Sequence, residues 1–140
     1  MKYKNKEGSP VSLSKPFAQR HSKKKLVECL SNFFYQQKNR GNILKIVLEK
    51  LEKITQFFQK QTSYTFYSSS VLIIYDSSDD SVGTEENVVV KLIDFAHTFE
   101  LSAEKKKIDD NFADGLKNFV QLLTHLYTTD GDTKFSFPKN

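Results

Sequence analysis

Asp94 is the residue whose setting points most clearly to chemistry. It follows Leu92 and Ile93 at the end of an apolar run and precedes Phe95, so a strand ending here would hold its carboxylate rigidly beside solvent. A carboxylate fixed at the mouth of a cleft can ligate Mg²⁺ that bridges nucleotide phosphates. Alternatively, such an aspartate caps the following turn or pairs with a basic side chain. The local sequence leaves both interpretations open.

Histidine and cysteine offer few further reactive groups. His97, three residues after Asp94, can act as a general acid or as a donor to a phosphate, or can simply stabilise a turn. His21 and His125 are separated from it by whole predicted elements, so the sequence predicts no zinc or iron site. The single cysteine, Cys29, lies on the apolar stripe of a predicted helix and is interpreted as a core side chain.

Basic and acidic side chains are divided unevenly along the chain. Residues 1–60 contain 14 Lys or Arg and four Asp or Glu, whereas residues 61–140 contain seven and 13. A basic half can bind an anion and an acidic half a cation. Lysine runs at 23–25 and 105–107 could contact phosphate, nucleic acid or an acidic membrane surface, or could be solvated. Because the aromatic residues fall at core spacing rather than between basic residues, the sequence predicts no nucleic-acid partner.

The apolar runs are too short to cross a membrane. The longest, 71–74 and 88–90, fall far below the roughly 20 residues that a spanning helix needs. The first ten residues contain no apolar stretch typical of a secretory signal. One cysteine cannot form an intrachain disulfide, which favours a reducing compartment. We therefore expect a cytoplasmic or nuclear protein without a membrane span.

Apolar residues at three- and four-residue spacing predict three helices that would support this strand end. They cover about 23–38, with Ser22 as the N-cap, about 42–60 and about 110–128. Asp109 and Asp110 lie at the N-terminal end of the third helix, where its dipole favours carboxylates.

β-Branched and aromatic residues predict two strands at 64–75 and 88–95, joined as a β-hairpin by a long charged loop. Residues 1–22 are expected to form an irregular basic segment, and residues 129–140 a tail. The elements together predict an α+β domain over 23–128, with helices packed on a β-hairpin.

Three segments in order carry a family resemblance. In the first, Ser69, Ser70 and Val71 stand where a Ser-Ser-Leu-Leu strand has its serines and first leucine. The second, 90–98, contains Ile-Asp-Phe-Ala-His-Thr, and the third, 109–119, contains Gly-Leu in a predicted helix. These segments resemble the inositol polyphosphate kinase family, and its inositol hexakisphosphate kinase branch in particular. The resemblance extends over about 23–127.

The resemblance implies the C-terminal lobe of a two-lobed kinase, with a fold related to protein kinases and ATP-grasp enzymes. Such a kinase transfers the γ-phosphoryl group of ATP to an inositol polyphosphate. Asp94 would be the catalytic residue that holds Mg²⁺ and, through it, the ATP phosphates. Ser69 and Ser70 match the paired serines, and His97 matches the Ala-His-Thr histidine near the active site. The implied cofactors are ATP and Mg²⁺, and the implied partner is an inositol polyphosphate substrate.

The chain departs from the family before the paired serines. Neither Pro10 nor Pro16 begins the substrate signature Pro-x-x-x-Asp-x-Lys-x-Gly, and no aspartate precedes Asp76. The N-terminal lobe, which supplies the ATP lysine and adenine hinge in the family, also lacks a counterpart. We therefore expect a partial kinase that is inactive alone and completed by a complementary N-terminal lobe. The alternatives are an inactive remnant that binds inositol phosphates or a protein, and a nucleic-acid-binding domain suggested only by the basic composition.

Overall fold

The computed structural model describes residues 1–4, 8–13, 23–34, 40–76, 84, 86–105 and 107–129. Within these ranges the helices are α1 (Lys23–Phe34), α2 (Arg40–Lys60) and α3 (Asp110–Thr128). The strands are β1 (Lys2–Lys4), β2 (Pro10–Ser12), β3 (Tyr64–Phe66), β4 (Ser70–Tyr75), β5 (Val88–Ile93) and β6 (Thr98–Glu100). A 3-10 turn, Ala103–Lys105, precedes α3.

The strands form three antiparallel pairs. β4 pairs with β5 from Ser70 opposite Ile93 to Tyr75 opposite Val88, which is the predicted hairpin. β3 pairs with β6, and β1 pairs with β2. The described chain therefore presents small two-stranded ribbons that need a helical layer to cover one face.

The prediction of one continuous strand over 64–75 is wrong. Ser68 has φ +60°, a left-handed conformation that no extended strand adopts, and it separates β3 from β4. The second strand likewise ends at Ile93, because Asp94 has φ +68°. The breaks at Ser68 and Asp94 lie beside each other, and each divides one segment into two strands. On one side of the breaks β4 pairs with β5, and on the other side β3 pairs with β6. The sequence pattern missed the break because serine and aspartate carry no strong local signal for it.

The N-terminal segment also differs from expectation. Residues 2–4 and 10–12 are paired strands rather than irregular chain, and the Met1 amino group donates to the Leu13 carbonyl over 2.9 Å. Pro10 is tolerated because it is the first residue of its strand. Some predicted features lie outside the described residues. They are the Ser22 cap, the part of the first predicted helix that follows Phe34, and most of the charged loop and of the tail.

The core lies between the three helices and one face of the β4–β5 hairpin. Val47 and Leu51 of α2, Leu123 and Leu126 of α3, and Val88 of β5 are fully buried. The inward side chains of β4, at 71, 73 and 75, pack against this cluster. Burial of such side chains is the main force that holds the layers together. The expected α+β arrangement, with helices packed on a hairpin, is confirmed.

Tyr75 links the hairpin to α1, and ionisation of its hydroxyl is expected to make the stability of the protein depend on pH. Its hydroxyl donates to the Phe33 carbonyl, and its ring stacks on Phe34 at a centroid distance of 5.8 Å. Burial raises the pKa of Tyr75 to about 12, although the nearby Arg40 opposes that rise. In the unfolded chain the phenol loses its proton near pH 10. We therefore expect stability to fall as the pH rises from about 10 to about 12, since only the unfolded state is ionised there.

Urea unfolding at a series of pH values measures this effect. In Tyr75→Phe the hydroxyl is absent, so the component of the pH dependence due to Tyr75 should disappear. An equal fall in stability over this range in Tyr75→Phe would contradict the assignment.

Gly115 weakens α3 without a steric reason for its presence. A Cβ placed at this position would meet no heavy atom within 4 Å. Glycine in a helix interior costs about 0.5–1 kcal/mol relative to alanine. Gly115→Ala should therefore raise the free energy of unfolding by about 0.5–1 kcal/mol, as measured by urea titration. Gly41→Ala is the matched control, since its Cβ is equally free but lies in the first turn of α2, and a smaller gain is expected. A loss of stability in Gly115→Ala would contradict this explanation.

Candidate functional site

The strand breaks form one corner, made of residues 67–69 and 94–97. The Ser69 hydroxyl donates to the backbone carbonyl of Asp94 over 2.9 Å. The Tyr67 amide donates to the carbonyl of His97 over 3.0 Å. These two bonds join segments that lie about 25 residues apart in the sequence and fix them at the end of the hairpin.

Asp94 lies at the centre of this corner. Its side chain is exposed, directly after the last residue of β5, and its backbone has φ +68°. A left-handed conformation costs an ordinary residue about 1–2 kcal/mol, although Asp and Asn tolerate it best. Residues held in such conformations concentrate at functional sites, where the surrounding structure maintains them. The Asp94 side chain is therefore exposed to solvent, and its backbone is held in a conformation outside the strand region.

The other predicted site residues lie close to Asp94 along the backbone. Ser70 begins β4 opposite Ile93, the residue before Asp94, and is half-buried. His97 is exposed on the turn that the Thr98 amide closes by donating to the carbonyl of Phe95 over 3.2 Å. The structure thus brings Ser69, Ser70, Asp94 and His97 to one corner, with Ser69 in direct contact with Asp94.

Asp109 connects the corner to the start of α3, and the sequence did not predict this role. Its carboxylate accepts from the Phe112 amide over 3.2 Å as the N-cap of α3, and from the Phe66 amide over 2.7 Å. Asp109 is only 8% exposed. One buried carboxylate therefore ties the start of α3 to the strand that leads into residues 67–69. The sequence predicted only that the helix dipole favours a carboxylate at this position, and no local signal predicted the bond to Phe66.

Asp94 does not belong to a preformed cluster of metal-binding side chains among the described residues. Within these residues, no group of three or more His, Cys, Asp or Glu side chains lies close enough together to hold a metal ion. Mg²⁺ is often held by one or two carboxylates together with substrate phosphates and water, so a lone exposed Asp94 suits a metal that arrives with a nucleotide. The Cys29 thiol is buried in α1, and burial raises its pKa, which disfavours the nucleophilic thiolate.

No helix in the described part of the chain is both long and apolar enough to cross a membrane.

Solved structures share this fold. An inositol phosphate multikinase from S. cerevisiae, in complex with ADP and Mn²⁺, matches 89% of this chain and 55% of its own with a TM-score of 0.69 and 16% identity. A second inositol phosphate multikinase structure matches 89% of this chain and 59% of its own, with a TM-score of 0.66 and 23% identity. Over 89% of its length, the chain therefore shares the fold of these two structures.

Sequence comparison leads to the family. The sequence profile described as inositol polyphosphate kinase matches residues 1–124, and the chain belongs to that family. The matched range begins earlier than the resemblance at 23–127 suggested.

Full-length relatives agree with this assignment. Inositol hexakisphosphate kinase 2 of Oryctolagus cuniculus is 27% identical over 93% of this chain and 39% of its own length. Inositol hexakisphosphate kinase 3 of Mus musculus is 30% identical over 86% of this chain and 35% of its own. Inositol polyphosphate multikinase alpha of Arabidopsis thaliana is 32% identical over 57% of this chain and 28% of its own. The chain thus spans less than half the length of these relatives.

Proposed function

We propose that this chain forms the C-terminal lobe of an ATP-dependent kinase that phosphorylates inositol polyphosphates. The observation that carries the proposal is the corner at Asp94, where a left-handed backbone and the Ser69 hydroxyl fix an exposed carboxylate at the end of a hairpin. Membership of the inositol polyphosphate kinase family supports the proposed substrate class. Phosphoryl transfer depends mainly on positioning and charge neutralisation, and a fixed carboxylate contributes to both.

Asp94 is the residue that would hold Mg²⁺ in this proposal. When bound, the ion would neutralise charge on the nucleotide phosphates and on the transferred group. Ser69 would maintain the direction of Asp94 through its bond to the Asp94 carbonyl. The exposed His97 imidazole can donate a hydrogen bond to a phosphate oxygen, and Ser70 keeps β4 in register with the residue before Asp94.

A second lobe would complete the cleft. The outer face of the β4–β5 hairpin carries Ile74 and Ile93, which are 52% and 39% exposed, and Phe95 next to Asp94 is 49% exposed. Apolar side chains grouped on one exposed face are typical of a surface that another unit covers. We propose that a complementary N-terminal lobe covers this face and supplies the nucleotide lysine and hinge. The chain's share of its relatives' length supports this proposal.

Transfer of labelled phosphate from ATP to a panel of inositol polyphosphates tests the proposal. We expect little or no turnover from the 140-residue chain alone with Mg²⁺. We expect turnover from a chimera in which residues 23–128 replace the aligned segment of mouse inositol hexakisphosphate kinase 3. A folded chimera without turnover, confirmed as folded by circular dichroism, would contradict an enzymatic role. Turnover by the chain alone would contradict the need for a second lobe.

An inactive remnant that binds inositol phosphates is the second candidate. The excess of 14 basic over four acidic residues in 1–60 favours it, because basic side chains can bind the phosphates. Calorimetry with inositol hexakisphosphate distinguishes the two. Binding by the chain without nucleotide, together with an inactive folded chimera, would favour the remnant. Such binding should also weaken with salt if the basic residues carry it.

A further inference from the structure

An open cavity of about 460 Å³ lies between the strand corner and the first half of α3. Its walls are mainly apolar and include Phe66, Val71, Phe112, Leu116 and Phe119. Ligand sites in proteins typically have volumes of about 300–1,000 Å³ and apolar walls with a few polar groups. The cavity is therefore of a size and character that suits a small molecule.

Part of the cavity wall, on β3 and on α3, is preformed by packing in the core. Phe58, which is fully buried, stacks on Phe112 at a centroid distance of 4.4 Å and meets Phe66 edge-on at 5.0 Å. These contacts fix two of the rings that line the cavity. A rigid aromatic wall favours flat aromatic guests, because offset and edge-to-face ring contacts add to the gain from burial.

The polar groups are few and come from both sides of the cavity. Tyr67, Ser68 and Ser69 lie on the corner and Asn111 lies on α3, and no charged side chain lines the cavity among the described residues. A phosphate group in this cavity would lose hydration without gaining a cation, which is costly. The cavity is therefore chemically distinct from a site for ATP or an inositol polyphosphate, and it suits an uncharged molecule with a hydrogen-bonding edge.

We propose that this cavity binds a small, planar, uncharged aromatic molecule with one hydrogen-bonding edge, and that its occupation is transmitted to Asp94. The transmission follows from Ser69, which lines the cavity and also donates to the Asp94 carbonyl. A guest that contacts the Ser69 hydroxyl acts on a group that holds the backbone of Asp94 in place. The inference concerns binding and does not depend on the kinase proposal.

Indole is the probe for the test, because it is planar and carries one N–H donor. The 140-residue chain, labelled with ¹⁵N, is titrated with indole and followed by amide chemical shifts. We expect saturable shifts at 66–71 and 111–119 with a Kd near or below about 1 mM, and a shift of the Asp94 amide with the same midpoint. Inorganic phosphate should leave the same signals unchanged. Intermolecular NOEs from indole to the methyl groups of Val71 and Leu116 provide a direct check.

Gly115 provides the blocking variant. It lines the cavity, and a Cβ placed there meets no heavy atom within 4 Å, so Gly115→Leu would occupy part of the open volume. We expect at least about tenfold weaker indole binding in Gly115→Leu, which corresponds to about 1.4 kcal/mol. Gly115→Ala should bind nearly as the parent does. Thr124→Leu adds the same side chain at an exposed position of α3 outside the cavity, and should bind unchanged.

Different results would overturn the binding site and the transmission to Asp94. Absence of saturable shifts at 66–71 and 111–119, or equal binding by Gly115→Leu and the parent chain, would overturn the site. If Gly115→Leu does not fold, the NOEs in the parent chain decide, and their absence at Val71 and Leu116 overturns it. Shifts in the cavity without any movement of the Asp94 amide would overturn the transmission to Asp94.

Discussion

Asp94→Asn is expected to lower phosphoryl transfer in the chimera by about 10²–10³-fold, the range seen when one preorganised group that stabilises a transition state is removed. The amide retains the shape of the side chain but not the charge that would hold Mg²⁺. The loss should appear mainly in kcat, because the metal stabilises charge that develops during transfer. Steady-state kinetics with ATP and an inositol polyphosphate measure it.

Stability should be nearly unaffected by this change. Asp94 is exposed, and asparagine tolerates the left-handed backbone found there, at φ +68°, as well as aspartate does. We expect a change in the free energy of unfolding within about 0.5 kcal/mol. Asp110→Asn, at the exposed first residue of α3, is the matched control and should leave turnover unchanged. Wild-type turnover in Asp94→Asn would exclude Asp94 as the metal-holding residue.

Asp109→Ala is expected to destabilise the chain by about 2–4 kcal/mol, the combined cost of losing a helix cap and leaving a buried donor unpaired. The carboxylate accepts from the amides of Phe66 and Phe112, and alanine satisfies neither. Because Phe66 leads into the corner at 67–69, the change should also increase the mobility of that corner. Urea unfolding followed by circular dichroism measures the stability, and hydrogen exchange at the Phe66 and Phe112 amides measures the local effect.

A neighbouring carboxylate supplies the control for Asp109. Asp110 is exposed in the first turn of α3, where it interacts with the helix dipole alone. Asp110→Ala should therefore cost less than about 1 kcal/mol. Asp109→Asn keeps one acceptor oxygen and should fall between the two alanine variants. If Asp109→Ala and Asp110→Ala had equal effects, the bond between Asp109 and β3 would have no energetic importance.

Several expectations from the sequence stay predictions. They include the cytoplasmic or nuclear location, the lack of a nucleic-acid partner, the domain limits at 23 and 128, and the specific roles of Ser69, Ser70, Asp94 and His97. They rest on composition, on a short motif and on family resemblance. Retention on DNA or RNA at low salt would contradict the second of them.

The candidate site could be located from the sequence because its residues lie in two short motifs. Ser69 and Ser70 fall together, and Asp94 and His97 are three residues apart, so each group can be found from neighbouring letters. Its supporting residue could not be found this way. Asp109 and Phe66 are 43 residues apart, and only folding brings the carboxylate to that amide.

Periodicity and motifs predict the helices, the β4–β5 hairpin and the membership of a kinase family, because both are properties of short stretches of sequence. The positions at which the strands break depend instead on tertiary contacts. A serine at position 68 and an aspartate at 94 are compatible with an extended strand, and they adopt left-handed conformations here because β3 pairs with β6 while β4 pairs with β5. The cavity beside α3 likewise arises only when the corner packs against that helix. Such features depend on contacts between residues that are far apart in the sequence, and local patterns do not predict the energies of those contacts.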